Sequence, residues 1–116
     1  MKSRFIISIL ILSISCSQKS DLEIDTKELI RNIDRYHLDT LAISGKVIVE
    51  FENVALYLDD IDEPEKALWL NSTDKNFDYQ SLKNKEVIIR GVIDKNDKGH
   101  LNQFLGSIEI IEVIEK

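Results

Sequence analysis

The sequence predicts a mainly β fold with minor α content: one small barrel of five strands, preceded by an N-terminal helix. Three observations lead there. Five short strand-like runs are spaced between Ala42 and Ile114, the first of them rich in β-branched residues and bounded by turn formers. A helical rhythm occurs once, ahead of the first strand, where Leu29, Ile33 and Tyr36 follow one stripe and Ile30 flanks it. Gly45 and Gly91 interrupt their strands, and glycine inside a strand marks a bulge or the sharp coil that a small barrel needs.

Taken in order, the helix is expected from about Thr26 to Tyr36. Asp25 or Thr26 can cap it, Glu28 in its first turn suits the helix dipole, and Arg31 and Arg35 follow. Ala42 to Phe51 (AISGKVIVEF) changes to strand character. Asn53 begins a turn and Ala55-Leu56-Tyr57-Leu58 forms the second strand. Asp59 to Lys66 is an acidic loop holding the only proline, Pro64, and Ala67-Leu68-Trp69-Leu70 forms the third strand. Asn71 to Lys85 is polar, with Phe77, Tyr79 and Leu82 spaced through it as a helical turn or irregular cap on the core. Val87 to Ile93 (VIIRGVI) carries the strongest strand signal, Asp94 to Leu105 is a loop, and Ser107 to Ile114 is the last strand. Strict alternation there puts Ile108, Ile110, Glu112 and Ile114 on one face, with Glu109, Ile111 and Val113 on the other. Closure of the sheet is expected because five open strands of this size would leave two long apolar edges.

The first sixteen residues have a different character. Lys2 and Arg4 precede an apolar run from Phe5 to Ile14, broken only by Ser8 and Ser13, and Ser15 stands immediately before Cys16. Ten such positions span about 15 Å as a helix, roughly half of a hydrocarbon core, so the run fits an export signal and not a membrane span. The segment Leu12-Ser13-Ile14-Ser15-Cys16 resembles the lipobox of bacterial lipoprotein signals, with Ser13 standing where that family prefers leucine. The resemblance implies cleavage before Cys16, lipidation of its sulfur and acylation of the new N-terminus, with palmitate as a typical chain. The alternative is an ordinary secretory signal cut near Ser15 or Ser17. The division that follows is a signal peptide over 1–15, a lipidated cysteine and polar tether over 16–25, and one domain over 26–116. Ser17 after the cysteine points to the outer membrane of the bacterial cell envelope under the enterobacterial sorting rule.

Cys16 is the only cysteine, so no disulfide forms within the chain and packing alone must hold the fold. Lys2 and Arg4 leave with the leader, so 15 Lys+Arg become 13 against 21 Asp+Glu, a net charge of −8. Such a surface repels phosphate backbones and anionic headgroups. Nucleic acid is therefore not an expected partner, and membrane attachment is expected through lipid.

The segment from Leu82 to Asp94 (LKNKEVIIRGVID), then Lys98-Gly99-His100 and Gly106-Ser107-Ile108, is similar to the last part of OB-fold modules in small, poorly characterised bacterial envelope proteins. The resemblance implies an OB-like barrel and carries no shared reaction. His100 with Asp94 and Asp97 is the one grouping that could take a metal or act in acid–base chemistry. As a calcium loop it fails, since Lys98 stands at a ligand position and Leu105 where the closing glutamate belongs. For zinc, His37 is the only other histidine, and two carboxylates would be needed as well. The alternative for His100 is a loop residue that orders its turn. The run Asp59-Asp60-Ile61-Asp62-Glu63-Pro64-Glu65 reads as a solvated loop before it reads as a cation site, and Tyr57 and Trp69 read as packing residues before they read as a stacking platform. No Gly-x-Ser-x-Gly elbow or triad setting occurs. The expected function is thus a non-enzymatic binding or interaction module, lipid-anchored at Cys16, free of cofactors, meeting an envelope protein or glycan. The alternative is a small-ligand or metal domain, weakly catalytic at most, built on the Asp94–His100 loop.

Overall fold

The computed structural model describes residues 23–51, 53–59 and 62–116. The leader, Cys16 and most of the tether lie outside the described residues. Five strands dominate: β1 (Thr40–Glu50), β2 (Asn53–Tyr57), β3 (Ala67–Asn71), β4 (Glu86–Asp94) and β5 (Gly106–Glu115). They hydrogen-bond in a ring in the order β1-β2-β3-β5-β4 and back to β1. All neighbours are antiparallel except β3 and β5, which run parallel from Leu68 opposite Gly106 to Asn71 opposite Glu109.

Ring closure depends on β1 serving two partners. Its first part, Thr40 to Lys46, pairs with β4, and its second part, Lys46 to Glu50, pairs with β2. The strand coils where it changes partner, and Gly45 lies at that point. A side chain there would stand 2.6 Å from the Tyr57 carbonyl oxygen. The inward residues Leu41, Ile43, Val47, Leu56, Leu58, Leu68, Leu70, Val87, Ile89, Ile93 and Ile108 fill the ring and are buried. The β1–β2 turn is tighter than the sequence suggests: Phe51 takes a positive φ of 45° at its tip, and Asn53 already belongs to β2.

The last strand departs from strict alternation. A register shift between Arg90 and Gly91 sets Arg90 opposite Glu112 but Gly91 opposite Ile110, which leaves Ile111 as an extra residue. Beyond it the phase inverts. Val113 joins Ile108 and Ile110 on the core side, whereas Glu112 and Ile114, expected to share the face of Ile108 and Ile110, are exposed on the other. Glu112 then meets Arg90 at 3.3 Å on the outer surface. A single inserted residue is what reverses the faces, because side-chain period in a strand is two.

The helix is shorter than the hydrophobic rhythm implies. α1 covers Thr26–Arg31; Asn32 then leaves helical geometry, with φ −133° and ψ 41°, and a 3-10 turn, Ile33–Tyr36, continues the path. Leu29 is wholly buried, and Ile33 packs above Gly106. Asp25 occupies the N-cap position without a side-chain cap bond, and the Thr26 hydroxyl is turned away to donate to the Asp59 carboxylate. Glu28 ties the turn together. It accepts from the Tyr36 hydroxyl at 3.1 Å and from the Asn32 amide at 3.2 Å, with Arg31 and Arg35 at 3.4 and 3.7 Å.

Those partners, the Tyr36 hydroxyl foremost, hold the Glu28 carboxyl below its ordinary value of 4.5. A carboxylate whose value falls on folding adds stability above its unfolded value, and that contribution disappears as pH drops through the folded one. Thermal midpoints are therefore expected to fall on acidification below about pH 4.5, and Glu28→Gln should flatten that limb while leaving the neutral-pH midpoint within a few degrees. Melting curves from pH 7 to pH 3 on both proteins check it.

Candidate functional site

Two sides of the ring carry side chains of chemical interest, and the loop from Lys95 to Leu105 links them. The first is the outer face of β2 and β3. The register sets Ala55 opposite Trp69 and Tyr57 opposite Ala67, so these four share the outward surface while Leu56 and Leu68 point into the ring. Two alanines between two aromatics leave a shallow recess, and Phe104 fills it. The ring of Phe104 lies 5.3 Å from that of Trp69, tilted by 48°, and Phe104 is 3% exposed. Trp69 is thus a half-buried packing residue of a second, smaller apolar cluster. Burial, with Asp62 and Glu50 adding to it, raises the Tyr57 hydroxyl above its ordinary value of 10.0, so the residue acts as a neutral phenol.

The loop reaches this face by a sharp reversal. Gly99 has φ 66° and ψ −155°, a conformation open to glycine alone in practice, and its α-carbon lies flat on the Trp69 indole. A Cβ at Gly99 would stand 2.6 Å from Trp69 Cδ2. His100, Leu101 and Asn102 form a 3-10 turn in which Leu101 and Asn102 also take positive φ. The Phe104 amide then donates to the Lys98 carbonyl, and the Leu105 amide to the Ala67 carbonyl.

The aspartates that the sequence singled out as ligand candidates hold this loop. Asp97 accepts from the Asn71 amide at 2.8 Å with one oxygen and from the Gly99 amide at 3.2 Å with the other. Asp94 accepts from the Asn96 amide at 2.9 Å, and His37 Nδ1 lies 3.8 Å away. His37 Nδ1 itself accepts from the Lys95 amide at 3.2 Å, which places the proton of the neutral ring on Nε2. His100 is half-buried in its turn. Among the described residues, no group of three or more His, Cys, Asp or Glu side chains is arranged to hold a metal ion. The sequence motif Asp-x-Asn-Asp is thus spent on two Asx-type turns, at Asp94 with Asn96 and at Asp97 with Gly99, and on a tie to β3.

The second side is a groove of about 370 Å³ between Leu38, Asn71, Val92, Asp94, Asp97 and Glu109. Its walls carry three carboxylates and no cationic side chain. Composition gave an acidic surface but could not place these three together, because Asp94 and Glu109 meet only through the pairing of β4 with β5. Elsewhere Phe51 stands fully exposed at the β1–β2 tip and Leu101 is 78% exposed. Among the described residues no helix is long and apolar enough to cross a membrane.

No family model matches the chain, and no curated protein matches it. Among solved structures it is similar to a DUF3299 family protein from Pseudomonas aeruginosa PAO1, at a TM-score of 0.51 and 7% sequence identity, over 95% of this chain and 84% of that one. It is also similar, at a TM-score of 0.46 and 15% identity, to a Leishmania major Friedlin chain described as an aspartyl-tRNA synthetase; 84% of this chain covers 20% of that one. The first likeness shows a common fold, a small β domain.

Proposed function

We propose that the protein is a lipid-anchored component of the bacterial cell envelope whose β domain is an OB-like barrel acting as a non-enzymatic binding module. The observation that carries the anchor is the leader itself, a basic start and a short apolar run that end at Ser15-Cys16. Two acyl signals hold a protein on a bilayer durably where one gives marginal binding. The strand order β1-β2-β3-β5-β4, closed on itself with β3 and β5 parallel, supports the OB-like reading. The engagement of Asp94 and Asp97 in loop geometry supports binding over metal chemistry. An acidic surface, together with Trp69 packed under Phe104, argues against single-stranded nucleic acid, which needs a basic groove and open aromatics.

The anchor is tested in cells fed an alkyne-tagged palmitate. The wild-type chain is expected to take up the label and fractionate with membranes, and Cys16→Ser to lose the label altogether and leave the membrane fraction. A wild-type chain that carries no label, or a mature protein that lacks Cys16, removes the anchor from the account.

A further inference from the structure

The fifth strand is paired on one edge for its whole length and on the other for less than half. Toward β4, pairing runs from Ser107 to Glu115; toward β3 it ends at Glu109 opposite Asn71, where β3 stops. Among the described residues, no strand pairs with the second edge of Ile110 to Glu115. From Glu109 to Lys116 no residue is buried, and Ile111 and Ile114 are 49% and 47% exposed. An edge of this kind presents unpaired N–H and C=O groups, a template for another strand. Proteins blunt such edges with lysine, proline or a short strand, yet from Gly106 to Glu115 this one carries neither lysine nor proline.

Charge decides what the edge can accept. Glu109, Glu112 and Glu115 lie along the strand, and Asp94 and Asp97 border the groove at its Glu109 end. Arg90 and Lys85 pair with Glu112 and Glu115 at 3.3 and 3.0 Å, which leaves an excess of carboxylates. A second copy of this chain would bring the same glutamates onto one seam, and like charges across a strand pair are destabilising. An extended segment with alternating cationic and apolar residues meets the opposite situation: its backbone completes the ladder, its apolar side chains line up with Ile110 and Val113 on the core side, and its cations face Glu109 and Glu112 on the outer surface.

We infer that the free edge of β5, from Ile110 to Glu115, is the docking site for an extended basic and apolar segment of a partner protein, added as a sixth strand. The inference deepens the binding-module reading and rests on it; it is independent of the anchor at Cys16.

The test uses the full-length chain in non-ionic detergent and an end-blocked peptide of alternating lysine and valine as the probe. Its binding is followed by anisotropy, and the location by hydrogen exchange. Expected are saturable binding in equimolar ratio and slowed exchange confined to residues 110–116. Binding should be about tenfold weaker or worse for a glutamate–valine peptide, for the lysine probe N-methylated at every residue, and for the Glu112→Lys/Glu115→Lys variant. The N-methylated probe keeps charge and removes donors, so it separates strand addition from plain attraction without altering the protein. Equal binding of the N-methylated probe, or no binding up to about millimolar probe, overturns the inference. Protection elsewhere in the chain overturns the β5 assignment while leaving a binding module in place. Protection of residues 110–116 that grows with protein concentration and needs no probe assigns the edge to a second copy and also overturns it.

Discussion

Gly91→Ala is expected to destabilise the domain by about 3 kcal/mol, at the upper end of what overpacking costs, and to lower its melting temperature by on the order of 15 °C. The reason lies in the bulge between β4 and β5. There the Glu109 carbonyl oxygen approaches so closely that a Cβ on Gly91 would stand 2.2 Å from it and 2.8 Å from Ile108 Cγ1. The nearer atom is backbone held in the β3–β5 and β4–β5 ladders, so it cannot swing aside as a side-chain tip can. Relief requires β5 to move outward, and in a closed ring that strains every other strand pair. Urea unfolding of Gly91→Ala beside Lys98→Ala, an exposed loop substitution, checks the expectation. A midpoint within experimental scatter of the wild type would mean that the bulge is not the rigid seam described.

That glycine also shows what the sequence discloses and what it withholds. The runs Val87–Ile93 and Ala42–Phe51 are legible because β-branched residues crowd them, and a glycine in the middle of each announces a bend. Which bend is not legible. Gly45 serves the change of partner along β1, and Gly91 serves a bulge whose extra residue, Ile111, sits on the other strand. The sequence Ile-Glu-Ile-Ile-Glu-Val-Ile from 108 to 114 fits two alternations equally well, one before and one after the doubled isoleucine at 110 and 111. Only pairing with β4 selects the switch that turns Val113 inward and Ile114 outward. At the helix, a stripe through Leu29, Ile33 and Tyr36 survives although Asn32 breaks the α-geometry, because a 3-10 turn carries the same residues to the same side. Rhythm alone could not separate one long helix from two short pieces.

The candidate site was less legible still, for a related reason. Ala67-Leu68-Trp69-Leu70 is apolar at every position, so alternation gives no clue that Trp69 lies outside the ring and Leu68 and Leu70 inside. The signal that could have resolved it is size. Ala55 and Ala67 flank two aromatics on the outer face, and small residues beside large ones mark a place where something else must pack. That something is Phe104, which arrives from a loop distant in sequence. Asp94 and Asp97 looked like ligands because the residue types that bind cations are those that cap turns, and the two uses separate only when the acceptor oxygens are seen to be engaged by Asn96, Gly99 and Asn71.

Phe104→Ala is expected to cost about 3–5 kcal/mol, and its effect should be uneven across the domain. Phe104 fills the outer recess and contributes nothing to the interior of the ring, whose residues form a separate cluster. Its loss leaves the Lys95–Leu105 loop held to β3 by the Asp97–Asn71 bond, the Leu105–Ala67 bond and the seat of Gly99 on Trp69. Polar ties at a surface are worth about 1 kcal/mol each, less than the apolar anchor they accompany. The loop should therefore open before the ring unfolds. Hydrogen exchange at Phe104 and Leu105 amides, whose acceptors are Lys98 and Ala67, should rise much further than exchange within β1 and β4. Trp69 fluorescence should shift to the red as water reaches the indole. If exchange instead accelerates uniformly with global unfolding, the loop and the ring form one cooperative unit, and the outer cluster is as much a part of the core as Leu68 and Ile108.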